Sequence, residues 1–126
     1  MRKVKETNEA ELFIEDDILF MRAKQDADFD LEATIELVGV RKEIKSDKKM
    51  KVLLDTRKMF HISKESREYG AKKEVSGLSS AMAILAGKSL AAILVGNFFI
   101  RFNKPVTPTK IFKREEKALE WLATFD

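Results

Sequence analysis

The sequence predicts one α/β domain on a mainly parallel, mixed sheet. Three observations predict it. Short apolar runs alternate with amphipathic helical patterns from about residue 31 onward, which is the signature of βαβ units. Two apolar runs near the start are separated by a single pair of turn-prone acids, which predicts an antiparallel hairpin beside the parallel strands. The length, 126 residues with 44% hydrophobic and 36% charged side chains, suits one core with a well-solvated surface and argues against disorder. The predicted order is β-β-α-β-α-β-α-β-α, giving five strands and four helices.

Residues 1–9 are polar and read as a mobile lead-in to a domain over residues 10–126. Glu11–Ile14 and Ile18–Met21 are the two hairpin strands, turned at Asp16-Asp17. Both are apolar at nearly every position, so they should be covered on both faces. Asp26–Asp30 is acidic and turn-like, and Asp30 is placed to cap a helix over residues 31–45. In that helix Leu31, Ile35 and Val38 recur at helical spacing, widened by Leu37, Val40 and Ile44. After a loop at residues 46–49, Met50–Leu54 reads as a buried strand ending at Asp55. Ser63 can cap a second helix over residues 64–76, thinly apolar and mostly exposed, with Gly77 as its stop. Ala81–Ala86 is another buried strand, whose small residues suit the close approach of a helix. Ser89–Phe102 reads as a third helix, apolar almost all round, so it should be buried or partnered. The two prolines in Asn103–Pro108 oppose helix there. Lys110–Lys113 is the last strand. Glu115–Phe125 is a closing helix with Ala118, Leu119, Trp121, Leu122 and Phe125 inward.

Charge and composition narrow the function classes. The net charge of +3 comes from 24 basic and 21 acidic residues mixed along the chain, unlike the one-faced positive charge of a nucleic-acid binder. There is no cysteine, which excludes cysteine catalysis, thiol redox chemistry and thiolate zinc sites. The N-terminus has no apolar leader, and the apolar stretch over residues 81–102 is broken by Gly87, Lys88, Ser89, Asn97 and Arg101. A cytoplasmic protein without stable membrane insertion is expected.

Candidate site residues are few. Gly87-Lys88-Ser89 ends like a phosphate-binding loop, but Met82 stands where that motif needs its first glycine. The three residues read as a strand-to-helix turn, with Lys88 and Ser89 as a candidate anion-binding turn. His61 is the only histidine and has no acid or nucleophile placed around it by spacing, so it reads as a surface residue. Asp55, Thr56 and Arg57 lie beyond the C-terminal end of a predicted strand, where ligands bind in open α/β sheets. With Ser63 and Ser66 they form a candidate switch or ligand surface. The alternative is that Asp55 caps its loop or pairs with Arg57, and that Ser63 is an ordinary helix cap. On the third helix Phe98 and Phe102 share a face, while Phe99 points roughly 100° away from Phe98. These three define a candidate dimer face or the wall of an apolar pocket.

The element order, the strand ending Leu53-Leu54-Asp55 and the run NFFIRFNKPVTPTKIFKREEKALEWL over residues 97–122 resemble the STAS-like family. That family has the fold of the sporulation anti-anti-sigma factor and is related at fold level to CRAL-TRIO lipid-transfer domains. The family's tail pattern corresponds to Phe112, Glu115, Glu116, Ala118, Leu119, Trp121 and Leu122, and the resemblance spans residues 10–125. It implies a small bacterial interaction module. True anti-anti-sigma factors carry an Asp-Ser-Ser-Gly type motif with a phosphorylated serine; this chain reads HISKESREYG over residues 61–70, so Ser63 lies in the region but the motif is absent. The expectation is a non-enzymatic, regulatory binding module without cofactor or metal, with a protein partner or a second copy of itself. The alternatives are a carrier of a small apolar or lipid ligand and a serine-phosphorylated regulator.

Overall fold

A computed structural model describes residues 4–44 and 49–125 of the chain. Its principal sheet has six strands in the order β1-β2-β3-β5-β7-β8. They are β1 (Val4–Glu6), β2 (Ala10–Glu15), β3 (Ile18–Ala23), β5 (Met50–Asp55), β7 (Ser79–Leu85) and β8 (Thr109–Phe112). The first three are antiparallel neighbours, and β3, β5, β7 and β8 are parallel. A second sheet pairs β4 (Ala27–Phe29) with β6 (Met59–Ile62). The helices are α1 (Leu31–Glu43), α2 (Lys64–Ala71), the single-turn α3 (Lys73–Ser76), α4 (Leu90–Phe98) and α5 (Glu115–Leu122). A π-helical turn, Phe99–Asn103, continues α4.

The local signals worked where a side chain acts on its own backbone. Asp16 and Asp17 both adopt positive φ, 52° and 65°, and so close a two-residue hairpin whose last pair is Glu15 opposite Ile18. The carboxylate of Asp30 accepts from Ala33 N at 2.8 Å, the hydroxyl of Ser63 from Ser66 N at 3.1 Å, and that of Ser89 from Ala92 N at 3.2 Å.

Side chains alternate across the sheet, as the pleat requires. Leu12, Leu19, Met21 and Val52 face one side and pack with Leu37 of α1 and with β4. Phe13, Phe20, Leu53, Ala81 and Ala83 face the other, against Ala118 and Leu122 of α5. The alanines of β7 are what let α5 approach.

Several expectations need correction. The sheet has six strands rather than five, and three short strands were not foreseen. β1 arises from the lead-in by pairing with Glu11–Phe13, joined by ion pairs of Lys5 with Glu43 and of Glu6 with Lys24; residues 1–3 lie outside the described residues. β4 occupies most of the acidic segment before α1, and β6 follows β5 after a turn. The second helix is two helices, because the backbone at Lys72 turns to ψ 145°; the hydroxyl of Ser76 then meets the carbonyls of Ala71 and Lys72, each at 3.2 Å. Gly77 follows α3 at a φ of −70°, so it ends the helix without a left-handed turn. In α1 the buried stripe is Thr34, Leu37, Val38 and Arg41, whereas Leu31 and Ile35 are 39% and 46% exposed. Arg41 earns its buried place by donating from Nη2 to the carbonyl of Leu78 at 2.8 Å, and burial lowers its pKa. The predicted end of this helix at Lys45, and residues 46–48 of the next loop, lie outside the described residues.

Candidate functional site

Two arrangements of polar and apolar groups stand out, one at the C-terminal end of β5 and one beneath α4.

At the end of β5 the carboxylate of Asp55 is buried. Its Oδ1 accepts from the backbone N and from Nε of Arg57, both at 3.0 Å, and its Oδ2 accepts from Arg57 Nη2 at 2.7 Å. Arg22 Nε stands 3.7 Å from the same Oδ2. Glu115, at the start of α5, lies 3.4 Å from Arg22 and 3.5 Å from Arg57. Arg22 in turn lies over the rings of Phe13 and Phe20, which are stacked 4.9 Å apart. Two cations and two carboxylates therefore alternate and tie β3, β5 and α5 together. Burial opposes ionisation of Asp55, but the bonds and charge of Arg57, with help from Arg22, outweigh it and hold the carboxyl below its usual range. Arg57 is raised, first by its bonds to Asp55. With each carboxylate already paired, the cluster is a clamp rather than a free acid or base. Gly87, in the turn before α4, closes over it at φ 68°, and a Cβ there would lie 3.1 Å from Arg57 Cγ.

Beneath α4 lies a cavity of about 150 Å³. Its floor includes Leu54, Met82 and Ile84 of the sheet; α1 contributes Thr34 and Leu37, α2 contributes Ser66 and Arg67, and α4 contributes Val95 and Gly96. Gly96 lets α4 lie close on β8, since a Cβ would fall 2.7 Å from Ile111 Cδ1 and that side chain would have to shift. Phe99 lines the cavity, while Phe98 and Phe102 meet on the outer side as a tilted pair with ring centroids 4.8 Å apart. This is the division that helical spacing predicts for the three phenylalanines. Leu90 and Leu94 continue the outer stripe and are 76% and 69% exposed. The helix therefore has one face over a cavity and another that is apolar and uncovered; of the two expectations, burial or a partner, burial does not hold for the outer face.

The remaining candidates are divided between these places. Thr56 is buried and donates to the carbonyl of Leu85 at 3.1 Å; it lines the cavity rather than joining Asp55 and Arg57 in the clamp. Ser66 is 1% exposed, donates to Phe29 O at 2.8 Å and also lines the cavity. Ser63 caps α2 and donates to Ser66 Oγ at 2.9 Å. The five residues thus split between an ionic clamp and a cavity wall. Lys88 is exposed, and Ser89 is engaged as the cap of α4. His61 sits on β6, exposed, with Nδ1 3.1 Å from Asp28 Oδ1 on β4.

Sequence reasoning missed Arg22 and Glu115, which complete the clamp, and Thr34 and Arg67 in the cavity wall. Helical spacing could have flagged Thr34 and Arg41, seven residues apart on one stripe of α1. No local signal marks Arg67. Among the described residues no cluster of three metal-ligating side chains occurs, and no helix is long and apolar enough to cross a membrane.

This combination of a mixed sheet, three parallel crossovers and a final helix on the opposite face defines a SpoIIAA-like, that is STAS-like, fold. One similar structure is an uncharacterised protein of the DUF3478 family with a SpoIIAA-like fold from Shewanella loihica PV-4. It is 17% identical with a TM-score of 0.55, covering 97% of this chain and 92% of that one. Another is the anti-sigma factor antagonist SpoIIAA in its unphosphorylated form, 10% identical with a TM-score of 0.53, covering 99% of this chain and 100% of that one. The chain belongs to the family of the domain of unknown function DUF7793, whose model matches residues 12–126. No curated protein matches it.

Proposed function

We propose that this domain is a non-enzymatic binding module that takes a small apolar molecule into the cavity beneath α4. The observation that carries the reading is the cavity itself: about 150 Å³ of space walled almost wholly by aliphatic and aromatic side chains. The cavity is partly open to solvent rather than sealed, and its volume is about that of a dry cavity known to hold a benzene ring. A non-catalytic role fits the clamp, whose charged groups face one another. The test is thermal unfolding and native mass spectrometry with toluene as probe. Toluene should raise the melting temperature, and Ala92→Leu or Val95→Phe, which add volume at the wall, should abolish the rise. Wild-type protein that toluene neither stabilises nor binds would overturn the reading.

A second reading is favoured by a different observation, the exposed stripe of Leu90, Leu94, Phe98 and Phe102. An uncovered apolar helix face marks an interaction surface. SpoIIAA, described as an anti-sigma factor antagonist, acts on another protein, and a regulatory partner or a second copy of this chain would cover the stripe in the same spirit. Sedimentation at increasing concentration tests the homodimer: wild type should dimerise and Leu94→Ser should remain monomeric. A monomer at all concentrations would exclude self-association. Regulation by phosphorylation has less support, since Thr56 and Ser66 are buried on carbonyls and Ser63 is engaged as a cap.

A further inference from the structure

Resting on that cavity reading, we infer that the molecule bound beneath α4 is an amphiphile with a single anionic head, a carboxylate on a small ring or short aliphatic body, and that Arg67 receives it.

Arg67 is the one charged residue among the described residues of the cavity wall. Its Nη1 donates to the carbonyl of Ile62 at 3.1 Å, and its guanidinium lies 5.4 Å from the centroid of the Phe98 ring. Its Nε is buried and has no hydrogen-bond partner, and no carboxylate among the described residues pairs with it. An unmatched N–H on a cation carries a desolvation cost; the Nε of Arg22 and of Arg41 share that state, but Arg67 alone of the three lines a cavity with space for an acceptor.

The other polar groups of the wall sharpen the choice. Thr56, Ser66 and Ser76 all donate to backbone carbonyls. Thr34 Oγ1 is buried and, like Arg67 Nε, without a partner. The wall thus offers one cationic donor and one free hydroxyl, against an otherwise apolar lining. A carboxylate accepts two N–H groups side by side from a guanidinium and carries one negative charge, matching one arginine. A phosphate monoester, nearer two charges, would leave one unmatched. The cavity volume limits the part of the ligand that it encloses to about one ring.

Benzoate and toluene differ by the carboxylate against a methyl group, so the pair separates the two levels of the inference. Isothermal titration of the full chain should show benzoate binding more tightly than toluene. Arg67→Met should weaken benzoate by about tenfold to a hundredfold, the range expected for one lost charge-assisted contact, and change toluene binding by a clearly smaller factor. Arg67→Lys keeps the charge but lacks the paired N–H groups, and should still weaken benzoate; it serves as the reporter if the methionine variant does not fold. Thr34→Val should produce a smaller loss for benzoate. Toluene binding with no preference for benzoate, or benzoate binding unchanged in both arginine variants, would overturn the carboxylate inference while leaving the cavity reading in place. Binding of neither probe would overturn both.

Discussion

The two faces of the central sheet are built from the same alternating strands and end in opposite states. On the α5 face, Leu53, Ala81, Ala83, Ala118 and Leu122 are all 0% exposed and the packing is closed. On the α4 face, the helix spans a cavity and leaves its leucines in solvent. The difference begins with side-chain size and with the helix stripe. Alanines on β7 let a helix whose inner face is Ala118 and Leu122 settle directly on the sheet. Under α4 the strands present Met82 and Ile84, and three helices must share the cover. α4 lies close on β8 at Gly96, while its Ala92 and Val95 face the cavity. One face therefore serves stability, and the other has room for a ligand.

The largest expected effect comes from breaking the closed face. Leu122→Ala should cost about 2–5 kcal/mol in urea unfolding, while Leu94→Ala on α4 should stay within about 0.5 kcal/mol. Equal losses at the two sites would mean that α4 is covered in solution. Next comes the clamp that joins the faces at the end of β5. Asp55→Asn removes the charge-assisted bonds to Arg57 and should cost about 1.5–3 kcal/mol at neutral pH. Because the folded pKa of Asp55 is depressed, its contribution is fully present above the unfolded value of about 3.9 and is lost as the pH falls through the lower folded value. The gap between wild type and Asp55→Asn should therefore narrow below about pH 4; a gap that stays constant would show that the ion pairs do not carry it. A smaller effect than that of Asp55→Asn is expected for Ser89→Ala at the cap of α4, about 0.5–2 kcal/mol of helix stability and less in the whole protein if α4 opens locally. Hydrogen exchange should show the loss concentrated in residues 90–98.

Much of the scaffold was legible because it is written in short-range chemistry. Asp30 meets an amide three residues on, Asp16-Asp17 need only their own backbone, and the spacing of Ala118, Leu122 and Phe125 marks the inner face of α5. The short strands were not legible: Val4–Glu6 has no apolar pattern, and Ala27–Phe29 reads as acidic turn until Met59–Ile62 is brought beside it. The α1 stripe misled for a related reason. Leu31 and Ile35 are more apolar than Thr34 and Arg41, yet the latter pair faces inward because Leu78 offers Arg41 a carbonyl from 37 residues away.

The candidate site divides along the same line. The residue types, the cap at Ser63, the split between Phe99 and the Phe98–Phe102 pair, and the link of Asp55 to Arg57 follow from spacings of a few residues. The closing of the clamp by Glu115, 93 residues from Arg22, depends on distant segments meeting. So does the cavity, which needs α1, α2 and α4 at one height above the sheet. Periodicity reports which way a side chain points, but the space left between helices depends on how far apart they come to rest, and that distance is set by contacts that no single segment contains.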